Sequence, residues 1–205
     1  QPTTLLSVGA SGIVAPDALS DTLTDDTALV SVMHANNEIG TIQPVAELAR
    51  LAHEKGALFH TDAVQTAGKV AVDVRALEPD LLSISAHKFY GPKGVGALWI
   101  RRGLRLLPIL TGGKHERSRR AGTENVAGFV GMGGAATLAG RTLGEEARSG
   151  SVVRHRLGGG GPRGVPGPAL NGVRSPRGPK TKDNSFERAG GGSPVRKRWL
   201  TRYTA

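Results

Sequence analysis

The fold of this chain is decided by the stretch ALVSVMHANNEIGTIQPVAELARLAHEKGALFH, residues 28–60. Two short apolar runs, residues 28–33 and 57–60, open and close it, and each is typical of a buried strand. Between them, Pro44 precedes an apolar stripe at helical spacing and Gly56 follows its end, as expected of a helix. Strand, helix and strand within about thirty residues predict a βαβ unit and therefore a parallel sheet.

A third apolar run, LLSIS at residues 81–85, predicts a further strand of the same sheet. Polar residues follow each of the three predicted strands at its end: HANNEIG at 34–40, TDAVQ at 61–65 and SAHK at 85–88. Ligands of open parallel sheets bind outside the carboxyl ends of the strands. We therefore expect one functional site at this edge of the sheet.

Two residues of this edge have complementary chemistry. A lysine such as Lys88 can form a Schiff base with an aldehyde cofactor when its surroundings lower its pKa. A carboxylate such as Asp62 can face the ring nitrogen of a pyridine-type electron sink, while Ser85 and His87 can bind a phosphate. Taken alone, Lys88 could equally be a solvated lysine in a turn; the three polar strand ends together favour a site.

Four sequence blocks resemble cysteine desulfurases of the NifS/IscS type, which belong to the class V aminotransferase family of pyridoxal-phosphate enzymes. The blocks are HANNEIGT at 34–41, HTDAVQ at 60–65, SAHKFYGPKG at 85–94 and RAGTEN at 120–125. The resemblance covers about residues 3–140. It implies an α/β fold, the fold type I large domain with a mostly parallel sheet flanked by helices, here incomplete and followed by a low-complexity basic tail.

The resemblance also implies a site for pyridoxal 5'-phosphate. Lys88 would be the Schiff-base lysine and proton shuttle, and Asp62 would be the partner of the pyridine nitrogen. Gln65 would bond the phenolic oxygen of the cofactor, and Asn37 would lie beside the ring near the substrate carboxylate. These four residues come from all three strand ends.

The phosphate would be held by Ser85 and by His87, which also counts among the expected catalytic residues. Thr123, by the same resemblance, reaches the phosphate of the neighbouring subunit and makes the site a property of a homodimer. Thr123 ends the basic loop 112–123, and its residue type predicts that it caps the next helix. Small residues between 125 and 139 predict that this helix packs closely against the sheet or a partner.

Members of the family transfer sulfur from L-cysteine to an enzyme cysteine, leaving L-alanine and a persulfide for a sulfur-acceptor protein, as in iron–sulfur cluster assembly. This chain contains no cysteine and therefore lacks the persulfide nucleophile. The family's upstream cofactor loop and downstream substrate-binding arginine also have no match here. We expect an internal piece of a longer enzyme, inactive as given; a selenocysteine lyase, another class V enzyme or a non-catalytic truncated product are the alternatives.

Composition changes near residue 140. Residues 1–140 carry 13 basic and 13 acidic residues, whereas residues 141–205 carry 14 and 4, so the formal charge of +10 lies entirely in the tail. The tail also holds 13 glycines and 6 prolines. We therefore expect two parts, a cofactor-binding part over 1–140 and a poorly ordered remnant of a C-terminal domain over 141–205.

Other classes of function have little support. The six histidines lack metal-ligand spacing, so no metal site is predicted. The basic tail has few interleaved aromatic residues, which makes nucleic-acid binding unlikely. The pattern GMGGAA at 131–136 follows no predicted strand, so a dinucleotide site is not expected there. Neither a signal peptide nor an apolar span of about 18 residues is present, and a cytoplasmic, non-membrane protein is the default.

Overall fold

The computed structural model describes residues 3–164, 168–170 and 186–188 of the chain. Its elements are α1 (Pro16–Thr22), β1 (Leu29–Met33), α2 (Val45–Glu54), β2 (Leu58–Asp62), α3 (Val74–Leu77), β3 (Leu81–Ser85), a 3-10 helix (Ala86–Phe89), β4 (Gly96–Ile100), α4 (Val126–Gly164), β5 (Pro168–Leu170) and β6 (Phe186–Arg188). The three predicted strands and the helix between the first two are confirmed. Their bounds shift by only one or two residues from the predicted ones.

The central sheet has the strand order β1-β2-β3-β4. The first three strands run parallel, with Met33 paired to Asp62 and Asp62 paired to Ser83. β4 returns antiparallel along β3 and places Gly96 opposite Ser85. The mostly parallel α/β sheet is thus as predicted, and the carboxyl ends of β1, β2 and β3 lie at one edge.

One face of the sheet forms the main core with α1 and α2. The buried residues of this core are Val14, Leu19, Val30, Val32, Val45, Leu48, Ala49, Ala52, Ala57 and Phe59. Within β1, residues of alternating position point to this core, as the period of two in a strand requires. Burial of these side chains supplies the hydrophobic stabilisation that holds the strand ends in register.

A second, smaller core lies under the 3-10 helix. Ala86, Phe89 and Val95 are buried there, and Met132, Ala135 and Ala139 of α4 pack against them. A close approach at Gly68 completes the packing: a Cβ placed there would lie 2.7 Å from Phe89 Cβ and 3.2 Å from Ala139 Cβ. The prediction that the small residues of the helix allow close packing is confirmed.

Gly68→Ala is expected to destabilise the fold more than Gly56→Ala. Both glycines have a φ of +73°, which costs any residue with a Cβ about 1 kcal/mol, but only Gly68 also meets a neighbouring side chain. A Cβ at Gly56 has nothing within 4 Å. The difference between the two variants in urea unfolding isolates the steric cost, expected at about 1–3 kcal/mol. Equal losses would show that Phe89 yields without cost.

The structure differs from the prediction in the tail. α4 crosses residue 140 without interruption and continues to Gly164, through the glycine run 158–161 that was expected to form no element. The described helix therefore extends into the predicted tail. The division into a cofactor-binding part and a poorly ordered remnant stays a prediction.

Two short strands further along the tail also depart from that expectation. β5 and β6 pair antiparallel, with Leu170 opposite Phe186. The remaining tail segments, 165–167, 171–185 and 189–205, lie outside the described residues, and the expectation for them stays a prediction.

Candidate functional site

The three polar strand ends lie side by side at the carboxyl edge of the sheet. The N–H of His34, just after β1, donates to the carbonyl of Asp62 at 2.9 Å. The N–H of Ala63, just after β2, donates to the carbonyl of Ser83 at 2.9 Å. The parallel register therefore brings the segments that carry Asn37, Asp62 and Lys88 to the same edge, as the sequence predicts.

Asp62 ends β2 with its carboxylate half-buried and oriented by the chain that follows. Its Oδ1 accepts a hydrogen bond from the N–H of Val64 at 2.9 Å, which leaves Oδ2 without a partner among the described residues. Gln65 follows in the same turn, also half-buried, and its side-chain amide makes no hydrogen bond there either. The turn thus presents a carboxylate oxygen and an amide with free bonding capacity.

Lys88 lies on the 3-10 helix between the buried residues Ala86 and Phe89. These two anchors fix the helix to the second core, while the side chain of Lys88 is half-buried. Its amine makes no hydrogen bond or ion pair with the described part of the chain. An amine held by a rigid element and left without a partner is available to a ligand.

Ser85 and His87 already interact with each other. Ser85 Oγ lies 2.9 Å from His87 Nδ1 across the end of β3. Hydroxyl and imidazole together provide donors suited to a phosphate. Both lie next to Lys88 in the chain, and their binding of a phosphate stays a prediction.

The two asparagines of the first strand end have different roles. Asn36 Oδ1 accepts hydrogen bonds from the N–H groups of Glu38 and Ile39, both at 2.9 Å, and so shapes the turn. Asn37 is half-buried, and its amide has no hydrogen bond to any described residue. The structural asparagine is therefore Asn36, which leaves Asn37 for the expected contact with a ligand.

The expectation that Thr123 caps the next helix is wrong. The helix begins at Val126, and Asn125 caps it by accepting the N–H of Gly128 on Oδ1 at 3.0 Å. Asparagine is at least as good a cap as threonine, and its longer side chain reaches this N–H. Thr123 instead lies exposed on the preceding loop and makes no hydrogen bond with the described residues.

Two buried histidines flank the edge residues. His34 Nδ1 lies 3.0 Å from Thr66 Oγ1. His60 lies between two hydroxyls, with Ser31 Oγ 2.8 Å from Nδ1 and Ser83 Oγ 2.8 Å from Nε2. His60 therefore ties β1, β2 and β3 together on the face opposite the main core. Both histidines are held by hydroxyl groups of the fold.

These histidines give folding stability a pH dependence. Burial lowers the pKa of His34, and burial lowers the pKa of His60 against a smaller opposing effect of the Asp62 charge. Below pH 6.5 the unfolded chain therefore binds protons that the folded chain does not. We expect the free energy of unfolding to fall as pH drops from about 6.5, by at most about 1.4 kcal/mol per pH unit for each histidine.

Urea unfolding between pH 7 and pH 5 measures this slope. The double variant His34→Asn/His60→Gln removes both titrating rings and is expected to flatten it. A double variant with the slope of the original chain would contradict the assignment.

Sequence reasoning missed Asp80, which lies at the amino end of β3, opposite the site. Its side chain is fully buried, and its Oδ2 accepts from the N–H of Phe59 at 2.7 Å and lies 2.8 Å from His53 Nε2. A guanidinium nitrogen of Arg101 lies 2.7 Å from Oδ1. The sequence signal was only an aspartate between a proline and an apolar run, which is common in loops.

Metal and membrane sites have no support in the described structure. Among residues 3–164, 168–170 and 186–188, the structure brings together no group of three or more histidine, aspartate or glutamate side chains fit to hold a metal. Over the same residues, the helices are too short or too polar to span a bilayer.

The fold and the edge residues define a class: α/β proteins with a mostly parallel sheet, whose carboxyl edge here carries an amine, a carboxylate and hydroxyl groups. The family profile "Aminotransferase class-V" matches residues 3–150. The chain belongs to this family, whose members depend on pyridoxal phosphate.

Curated relatives that the chain resembles are named cysteine desulfurases. It is 60% identical over 136 residues to the cysteine desulfurase IscS of Dictyoglomus turgidum, covering 66% of this chain and 34% of the relative. It is 53% identical over 154 residues to the IscS of Methanosarcina thermophila, covering 75% of this chain and 38% of the relative. The chain thus spans less than half the length of these relatives.

Solved structures show the same fold. A NifS-like protein superposes with a TM-score of 0.78 at 41% identity, over 83% of this chain and 47% of that one. DndA from Streptomyces lividans superposes with a TM-score of 0.75 at 38% identity, over 83% and 49%. The fold is therefore that of the NifS-like pyridoxal-phosphate enzymes, present in part, as the sequence resemblance predicts.

Proposed function

We propose that this chain carries the cofactor-binding core of a pyridoxal-phosphate-dependent cysteine desulfurase. The observation that supports it best is the unpartnered amine of Lys88 at the same sheet edge as the free oxygen of Asp62. The family and the relatives named cysteine desulfurase support the same chemistry. A structure titled SspA in complex with cysteine, 39% identical, supports L-cysteine as the substrate.

The donor set of the edge fits pyridoxal phosphate. Lys88 would hold the aldehyde carbon, Asp62 the pyridine nitrogen and Gln65 the phenolic oxygen, while Ser85 and His87 would bind the phosphate. When bound, the cofactor supplies an electron sink for the electron pair released at the substrate Cα. In the described structure, Oδ2 of Asp62 and the side-chain amide of Gln65 make no hydrogen bond and can therefore bind a ligand.

Three residues of the chain would each have a different role at the bound substrate. Asn37 would orient the substrate carboxylate beside the ring. Lys88 would move the proton at the substrate Cα as a general base and acid. His87 would assist from the phosphate side, where its ring is held by Ser85.

Sulfur transfer needs a thiolate outside this chain. The reaction converts L-cysteine to L-alanine while its sulfur passes to an acceptor thiolate, which becomes a persulfide. None of the 205 residues is a cysteine. We therefore propose that the chain by itself does not complete the transfer, and that in the intact enzyme a mobile cysteine and a sulfur-acceptor protein take part, in a cytoplasmic pathway such as iron–sulfur cluster assembly.

The site is proposed to form fully only in a homodimer. Thr123 lies exposed on its loop, without a hydrogen bond to the described residues, as a residue that reaches another subunit would. It would donate to the phosphate bound by the partner. No observation favours selenocysteine lyase over cysteine desulfurase.

Covalent trapping tests the proposal directly. The purified chain is incubated with pyridoxal phosphate, reduced with borohydride, digested and mapped by mass spectrometry. We expect a single labelled peptide, with the label on Lys88, because the family resemblance makes Lys88 the Schiff-base lysine and the amine of Lys69 is bonded to the carbonyl of Gln65. Labels scattered over exposed lysines such as Lys93 and Lys114 would overturn the proposal.

A further inference from the structure

His34 is buried at the carboxyl edge although it has no assigned role in the site. Its side chain lies just beyond β1, with a relative exposure of 4% for the residue, and its ring contacts Thr66, which is 2% exposed. The two residues are 32 positions apart in the chain. Burial of two polar side chains is costly unless both are bonded, so the contact has a structural purpose.

The neighbouring contacts suggest which ring nitrogen of His34 carries the proton. Thr66 Oγ1 lies 3.1 Å from the carbonyl oxygen of Ala63, to which its hydroxyl can donate. With the hydroxyl proton used there, Oγ1 accepts from His34, so we assign the ring proton to Nδ1. The lowered pKa of His34, caused by burial, keeps the ring in this neutral form near pH 7.

The bonded group is the turn that follows β2. The Ala63 carbonyl that receives the Thr66 hydroxyl also accepts the N–H groups of Thr66 at 3.0 Å and Ala67 at 2.9 Å. Gln65 lies inside this turn. At its start, the backbone N–H of His34 donates to the Asp62 carbonyl at 2.9 Å. His34 therefore contacts the segment 62–66 at both of its ends, at Asp62 through its backbone and at Thr66 through its ring.

We propose that His34 is a positioning residue for the cofactor site, acting through Thr66 on the turn that carries Gln65 and through its backbone on Asp62. The inference rests on the proposed function, because Asp62 and Gln65 matter only if they bind pyridoxal phosphate. His34 touches neither cofactor nor substrate in this role. Its ring supplies a directed N–H donor that an apolar core residue of equal size cannot replace.

Four variants separate this role from simple core filling. His34→Leu and Thr66→Val keep the volume but remove the donor or the acceptor. His34→Asn and Thr66→Ser restore them, since the Asn amide places an N–H near the position of Nδ1. We expect the first pair to weaken pyridoxal-phosphate binding about fivefold or more and the second pair to stay within about twofold of the original chain.

Amide hydrogen exchange in the absence of cofactor gives an independent readout. The N–H groups of Thr66 and Ala67 are expected to exchange about tenfold faster in His34→Leu and Thr66→Val, and at the original rate in the restoring variants. The N–H of Phe59, bonded to Asp80 at the other end of β2, is the control for global unfolding. Its rate is expected to stay unchanged.

The two readouts distinguish the failures. If the original chain binds no pyridoxal phosphate, the proposed function fails, and the exchange rates still decide whether His34 orders the turn. Unchanged Thr66 and Ala67 exchange in His34→Leu would overturn the inference. So would equal losses of binding in His34→Leu and His34→Asn, because restoring the N–H donor would then rescue nothing.

Discussion

Lys88→Ala is expected to remove all covalently trapped pyridoxal phosphate from the chain. The side chain is half-buried on a helix fixed by Ala86 and Phe89. Lys69, the other lysine near this edge, is engaged, since its amine donates to the carbonyl of Gln65 at 3.1 Å. Borohydride reduction followed by intact-mass measurement gives the labelled fraction. We expect one label per chain before the substitution and none after it.

Non-covalent binding should survive this substitution in weaker form. Asp62, Gln65 and Ser85 would still contact the cofactor, so fluorescence titration is expected to show a raised dissociation constant and not a complete loss. Lys93→Ala is the matched control, since Lys93 is exposed and lies five residues further along. It should keep the label. A Lys88→Ala chain labelled to the original extent would refute the assignment of Lys88.

Asp80→Ala is expected to cost the largest free energy of unfolding of any single substitution considered for this chain, about 3 kcal/mol. The carboxylate is fully buried, its Oδ2 is hydrogen-bonded to the Phe59 N–H and to His53, and its Oδ1 lies 2.7 Å from Arg101 in an ion pair that lacks hydrogen-bond geometry. Its removal leaves the buried N–H of Phe59 unsatisfied. His53 and Arg101 are partly exposed and can bind water once the carboxylate is gone. The expected loss of stability therefore lies at the lower end of the range for breaking a buried ion pair.

Urea unfolding followed by circular dichroism measures this loss. Asp80→Asn retains an oxygen for the Phe59 N–H and is expected to lose less than Asp80→Ala. Asp25→Ala is the matched surface control, because Asp25 is 94% exposed and lies 3.7 Å from Lys55 in a solvated ion pair. It should unfold as the original chain does. An Asp80→Ala chain of unchanged stability would mean that the buried carboxylate contributes nothing.

Several features could be read from local sequence because their signals are local. The βαβ pattern can be recognised from short stretches of neighbouring residues. These are the apolar runs of β1, β2 and β3 and the helix signals Pro44 and Gly56 on either side of α2. Once the strands are parallel, their carboxyl ends must meet at one edge. The convergence of Asn37, Asp62 and Lys88 follows from that topology and needs no knowledge of side-chain packing.

Local sequence signals failed in two situations. In the first, two residues that can both cap a helix lie close together; in the second, a run of glycines continues a helix that has already formed. Thr123 and Asn125 are both good caps, and the choice of Asn125 depends on where the backbone of the loop turns. The glycine run 158–161 looks like a break, yet it continues a helix that Val126 and the following residues have already nucleated. Amino-acid composition alone shows neither where the loop backbone turns nor whether a helix precedes the glycine run.

The sequence by itself determined the fold class, the family and the edge at which the site forms, because strand periodicity, helix punctuation and four motif blocks are properties of neighbouring residues. Only the tertiary structure decided that Asp80 is a buried anchor, that Asn36 shapes the turn while Asn37 stays free, and that the ring of His34 holds the turn of Gln65. The physical reason is that the Asp80 and His34 contacts join residues 21 to 32 positions apart. Such contacts depend on strand register and burial, which exist only after the chain has folded.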